Sequence, residues 1–195
     1  TSTDSVRSMP PLSVRSRRDL DAELRRLRAV YGEFPVRRVT ACNDPEFFEH
    51  GVEYVESGHR GAAGARVTDS EGCILLTREA RAPETWILPG GGHEPGESFE
   101  ETARRELWEE AGVDIDVTGV WRADRKRFVH REEPQRRGYL LELFFTAEAV
   151  GGEAGVYPDR WDEGNEEVLD ARWFDSVPEN AAPVVTEPLA PLEVE

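Results

Sequence analysis

The sequence predicts an α/β/α sandwich built on a mixed sheet, with a helical extension at its N-terminus. Three observations predict it: strand-like segments alternate with helical ones after residue 36, a strongly signalled helix falls among them at Phe99 to Gly112, and an amphipathic leucine helix precedes the first strand. With 195 residues the chain is long enough for one domain with a full core. The expected organisation is a disordered lead-in over 1–16, an amphipathic helix within 17–35 and the main domain over 36–195.

Residues 1–16 mix Ser, Thr, Arg and Pro without periodicity, and Pro10-Pro11 argues against a helix there. From Asp19 a helical pattern begins, with Leu20, Leu24 and Leu27 on one side until Gly32 stops it. The leucine stripe must cover either the flank of the main domain or a second subunit, so a homodimer is one expectation. Val36 to Ala41 reads as a short strand and Asn43-Asp44-Pro45 as a turn, whereas 46–60 is ambiguous. Gly61 to Thr68 and Cys73 to Arg78 read as strands of a hairpin closed by Asp69-Ser70-Glu71-Gly72.

The central helix carries the clearest chemistry. Ser98 and Glu101 form a capping box, Glu100 and Glu101 suit the positive end of the helix dipole, and Gly112 can close the helix in a left-handed conformation. Glu106, Glu109 and Glu110 then stand at i, i+3 and i+4 on one face, while Ala103, Leu107 and Ala111 form a separate apolar stripe. Three neighbouring carboxylates repel one another unless a cation joins them, and an all-oxygen set suits Mg²⁺ or Mn²⁺. Leu88-Pro89-Gly90-Gly91-Gly92 supplies a loop where backbone can approach a metal or phosphate, and Glu97 can hold the Arg105 guanidinium against the acidic face.

After this helix, Ile115 to Ala123 and Gly138 to Ala149 read as strands flanking a polar excursion rich in Arg, including Arg125, Lys126 and Arg127. Two readings are open for that patch: a clamp for substrate phosphates centred on Arg125 and Arg127, or a solvated tip that balances neighbouring acids. Residues 151–165 form a loop containing Tyr157 and Trp161, Val168 to Phe174 is a last strand, and the tail from Pro178 is an irregular wrap. Cys42 and Cys73 have no metal-ligand spacing and are expected to be buried thiols, and His93 is expected to be an incidental loop residue.

Gly91, Glu97, Arg105, Glu106, Leu107, Glu109, Glu110, Gly112 and Val113 fill every fixed position of the pattern G-x5-E-x7-R-E-U-x-E-E-x-G-U, where U is aliphatic. This stretch resembles the signature of the Nudix hydrolases, and Trp86 to Gly91 is similar to that family's approach to it. The resemblance implies the α/β/α fold and a metal-dependent hydrolase that cleaves a diphosphate bond in a nucleoside diphosphate linked to another group X. It further implies that Glu106, Glu109 and Glu110, with Gly91, hold Mg²⁺ or Mn²⁺, that Glu97 and Arg105 orient them, and that the catalytic group comprises Arg105 with a base drawn from Glu109, Glu110 or Glu167. Glu167 precedes a segment similar to the family's closing strand. Rival readings are a nucleotide-sensing regulatory module and a hydrolase acting on RNA 5′ ends. Subfamily marks are absent: Val129 stands where a proline is expected for ADP-ribose hydrolases, and Leu75-Leu76-Thr77-Arg78 opens a coenzyme A pyrophosphatase motif that does not continue.

Composition bounds the partners. The net charge of −16 divides unevenly, with +4 on residues 1–38 and −20 on the remainder, which argues against non-specific nucleic-acid binding by the main domain and leaves the small nucleotide substrate that the resemblance implies. No apolar run approaches bilayer length and no signal-peptide pattern opens the chain, so a cytoplasmic protein that does not enter the membrane is expected. Lys126 is the only lysine against 23 arginines, a usage similar to salt-adapted proteins. The expected result is a melting temperature that rises between low and molar KCl, where the Debye length falls to about 3 Å; an equal or lower value in high KCl removes the halophilic reading.

Overall fold

In the computed structural model, which describes residues 9–160 and 168–187, the core is organised by α1 (Leu12–Tyr31), α2 (Pro45–Glu56) and α3 (Phe99–Ala111) around a seven-stranded sheet. The strands are β1 (Val36–Asn43), β2 (Gly61–Thr68), β3 (Ile74–Glu79), β4 (Gly90–Gly92), β5 (Val113–His130), β6 (Arg137–Gly152) and β7 (Val168–Phe174). Their order is β1-β5-β6-β2-β3-β7, with β4 paired to β2. The sheet is mixed as expected: β1 runs parallel to β5 and β2 to β6, while the β5–β6, β2–β3, β2–β4 and β3–β7 pairs are antiparallel. Among the described residues no helix is long and apolar enough to cross a membrane.

The first helix begins earlier than its sequence suggests. It starts at Leu12, within the stretch expected to be disordered, because Pro11 sits at the N-cap, where a missing N–H costs nothing, and its carbonyl accepts from Val14 and Arg15. Pro10-Pro11 therefore bounds a helix instead of excluding one. Residues 1–8 of the expected lead-in lie outside the described residues. Leu20, Leu24 and Leu27 are buried in the chain's own main core with Phe99, Leu107, Leu141 and Phe145, so the leucine stripe covers the domain's flank. Each buried leucine contributes about 1.5–3 kcal/mol by leaving water. Arg26 adds a polar clasp, donating to Glu23 on its own helix and to both oxygens of Glu100 on α3.

The ambiguous stretch after β1 is α2. Its Phe48 packs on Phe128 and His130 of β5. Those side chains alternate along β5 with Arg125, which pairs with Asp21 of α1. Because successive strand side chains point to opposite faces, α1 and α2 lie over opposite faces of the sheet.

The arginine-rich polar excursion is also corrected: β5 continues to His130 and β6 starts at Arg137, leaving only residues 131–136 as the connection. On the face of β5 that carries Asp124 and Lys126, each charge has an opposite charge beside it. Arg37 and Arg122 share Asp124, and Lys126 pairs with Glu142. The expected β2–β3 hairpin pairs only at Thr68 and Ile74, after which β3 turns to β7 and β2 gives its free edge to β4. Neither cysteine is fully buried, Cys42 being exposed and Cys73 half-buried.

Candidate active site

The glycines of β4 are a strand rather than a loop, and they bring the chain against α3. A Cβ on Gly90 would lie 2.3 Å from the Gly64 Cα on β2, so β4 can pair this closely only with glycine there. The Gly90 N–H donates to Glu110 Oε2 at 2.8 Å. At Gly91 an added Cβ would meet Glu106 Oε2 at 2.5 Å. The expected result for Gly91→Ala is displacement of the Glu106 carboxylate and a loss of turnover of roughly 10- to 100-fold, comparable to losing a group that orients a ligand. Wild-type turnover in this variant would show that the close approach has no catalytic consequence.

The helix carrying the carboxylates is built as its sequence predicts. Ser98 accepts from the Glu101 N–H while the Glu101 carboxylate accepts from the Ser98 N–H, and Gly112 closes the helix with φ 74°. Ala103, Leu107 and Ala111 are fully buried against the sheet. This docking turns Glu106 and Glu110 into a cleft of about 400 Å³ that they share with Gly90, Gly91, Gly92, Glu79, Arg81, Lys126 and Glu142.

Arg105 ties the acidic face together. Its Nε donates to Glu97 Oε1 at 2.8 Å, one terminal nitrogen donates to Glu106 Oε1 at 2.8 Å and Glu109 Oε2 at 3.2 Å, and the other donates to the Gly92 carbonyl at 2.7 Å. Glu97 also accepts from the Thr102 hydroxyl at 2.8 Å. Burial pushes the Glu97 carboxyl up, but the hydrogen bonds from Arg105 and Thr102 outweigh it and hold the group below its usual value. The guanidinium is thereby fixed as the brace between β4, Glu97 and α3.

Glu106 and Glu110 have the opposite electrostatics. Glu106 is 3% exposed and is pushed up to about 7, chiefly by burial, against the pull of Arg105. Glu110 is raised well above its ordinary value by burial and then by the Glu106 charge, and no ion pair to it is present among the described residues. Two buried carboxylates pressed together in this way are costly as anions unless a cation joins them. A divalent ion suits the chemistry of this donor set, since Glu106 and Glu110 offer hard carboxylate oxygens to one open cleft.

Sequence reasoning missed three lining residues. Glu79 is 2% exposed at the end of β3 and pairs with Arg81 at 2.5 Å, and Glu142 pairs with Lys126. Glu79 and Glu142 lie 27 positions before and 32 positions after Glu106–Glu110, and only strand order brings them together. In the sequence Lys126 is only one member of a basic patch. Arg125 and Arg127 alternate with it along β5 and face the opposite side of the sheet, so the structure does not bring the expected phosphate clamp to this cleft. His93, expected to be incidental, is fully buried; its ring meets the Arg60 N–H and the Glu97 carbonyl, and burial lowers its basicity. It supports the segment ending at Glu97. Glu167 and Trp161 lie outside the described residues.

The NUDIX domain family matches residues 58–183, which include β2 through β7 and α3. The chain belongs to the Nudix family. Its relatives are named for different activities. It is 30% identical over 105 residues to a nucleoside triphosphatase from an Enterobacter strain, covering 52% of this chain and 69% of the relative. It is 33% identical over 107 residues to human diphosphoinositol polyphosphate phosphohydrolase 3-alpha, covering 55% and 57%. Against an RNA pyrophosphohydrolase of Saccharophagus degradans the identity is 34% over 106 residues, covering 48% and 62%. The chain thus spans between 57% and 69% of the length of these relatives. Among solved structures, the MutT Nudix hydrolase of Burkholderia pseudomallei is 27% identical with a TM-score of 0.47, covering 65% of this chain and 92% of that one.

Proposed function

We propose that this Nudix hydrolase cleaves a phosphoric anhydride bond in a nucleoside triphosphate, or in a nucleoside diphosphate linked to a group X, with Mg²⁺ or Mn²⁺ held by Glu106, Glu109 and Glu110 beside Gly91. The observation that carries this reading is the pair of buried, mutually repelling carboxylates Glu106 and Glu110 at the foot of an open cleft. When bound, a divalent ion supplies neutralisation of phosphate charge and Lewis-acid activation of water.

The chain's own residues account for the rest. Arg105, braced by Glu97, holds Glu106 and Glu109 in position, a role best described as orienting. Lys126 is a cation on the cleft wall, placed for the substrate's phosphate oxygens. Water oxygen bonds to phosphorus, the bridging oxygen leaves with its phosphate, and the proton passes to a carboxylate: Glu109 or Glu110 of α3, or Glu167. Beside the acidic cleft, and sharing Arg81, Gly90, Gly91 and Glu142 with it, a cavity of about 220 Å³ is walled by Ile87, Leu88, Phe144 and Val184. Arg122 lies over the Phe144 ring there, and its buried Nε has no hydrogen-bond partner. An apolar wall with one directed donor suits the non-phosphate half of a nucleotide.

The test is a substrate panel with Mg²⁺ and with Mn²⁺: the nucleoside triphosphates, nucleoside diphosphate sugars and a 5′-triphosphorylated RNA, read by released phosphate, diphosphate or nucleoside monophosphate. Turnover of a small nucleotide with dependence on the added ion is expected. Turnover confined to RNA would replace the small-nucleotide reading, and binding without turnover of any substrate would favour a sensing module.

A further inference from the structure

The sheet face opposite the cleft carries a groove whose charge runs against that of the protein. Arg17 of α1, Arg38 of β1, and Arg125 and Arg127 of β5 line one cavity of about 340 Å³ together with Thr40 and Tyr139. The register sets Arg38 directly beside Arg125, and Thr40 beside Arg127, whose neighbour on β6 is Tyr139. Like charges directly opposite on adjacent strands destabilise a sheet. Every other basic side chain on β5 is matched: Arg122 has Asp124 and Lys126 has Glu142. Within the groove, Arg125 has Asp21 at 2.7 Å, whereas Arg17, Arg38 and Arg127 make no ion pair among the described residues. Three unmatched guanidiniums from three elements therefore converge in a chain of net charge −16.

We infer that this groove is a second anion site, separate from the catalytic cleft, that binds a compact multivalent phosphate such as a triphosphate chain. The planar guanidinium fork offers paired donors to phosphate oxygens, and the Thr40 hydroxyl lies in the same cavity. A phosphate anion seated between Arg38 and Arg127 would offset the repulsion that the strand register imposes. An extended polyanion such as RNA is disfavoured, because beyond the groove it meets the acidic surface of residues 39–195, which carry −20.

The experiment is calorimetric titration of inorganic triphosphate into the metal-free full chain at low ionic strength, with NMR assignment of the Tyr139 and Thr40 resonances. Saturable binding that shifts those resonances is expected. Arg38→Ser with Arg127→Ser should raise Kd about tenfold or more, the loss of roughly one charge-assisted contact, while the cleft variant Lys126→Ser leaves Kd within about twofold. Both arginines are exposed, so the fold should survive, and melting temperature checks it; Arg17→Ser, on the outer surface of α1, is the milder alternative. No binding by the wild type, unchanged affinity in both groove variants, or loss of affinity in Lys126→Ser alone would each overturn the second site. Binding of a 5′-hydroxyl RNA oligomer through the same arginines, with none of triphosphate, would overturn the compact ligand. Turnover of the groove variants on the panel substrate is read separately, so failure of this site and failure of the catalytic assignment remain distinguishable.

Discussion

Glu110→Gln is expected to lower turnover by on the order of 10³-fold while leaving the metal-free protein at least as stable as the wild type. The two effects have one cause. Glu110 is buried, its carboxyl is driven up by burial and by the Glu106 charge, and the Gly90 N–H is its hydrogen-bond donor. A glutamine oxygen can still accept from Gly90, so the fold loses no partner, and the repulsion disappears. What is lost is an anionic oxygen for the divalent ion, whose removal costs transition-state neutralisation as large as that of a dedicated oxyanion donor. Calorimetric titration of Mg²⁺ into both proteins, paired with turnover on the substrate from the panel, measures both sides. Undiminished turnover would remove Glu110 from the reaction, and a strongly destabilised variant would refute the charge-strain account.

Glu106→Gln should weaken the fall of stability with rising pH, leaving the part that the buried Glu110 carboxyl contributes. In the folded metal-free protein this carboxyl is pushed from 4.5 to about 7, so between those values the folded state holds a proton that the unfolded chain has released. Stability therefore falls as pH rises through this window, the cost being absent below about 4.5 and complete above about 7. The shift corresponds to about 3 kcal/mol at most. In a domain of this size, 1 kcal/mol moves the melting temperature by roughly 2–4 °C. Melting in a chelator is expected to show the variant several degrees above wild type at pH 8, with the gap closing by pH 5. Added Mg²⁺ should raise the wild type preferentially at the higher pH. Parallel pH profiles for the two proteins would show that Glu106 ionises normally.

The helix at the centre of the site was legible from its residues because its determinants are local. Ser98, Glu101 and Gly112 act within one turn of themselves, and the i, i+3, i+4 spacing of Glu106, Glu109 and Glu110 needs nothing beyond helical geometry. The carboxylate partners of Arg105 are near in sequence too, since Glu97, Glu106 and Glu109 all lie within eight residues of it. Periodicity likewise placed β2 at Gly61–Thr68. It could not assign α2, whose one fully buried side chain, Phe48, has its partners on a strand about eighty residues away.

By itself, then, the sequence determined the family, the acidic helix and the mixed α/β class, all of which rest on short-range spacing. Tertiary structure alone decided which carboxylates are buried together, because desolvation of Glu106 and Glu110 depends on how the glycine strand packs against α3. It also decided the two fates of one basic patch. Lys126 reaches the cleft while Arg125 and Arg127 face away, since adjacent residues of a strand project to opposite sides and only the completed sheet says which side holds the site.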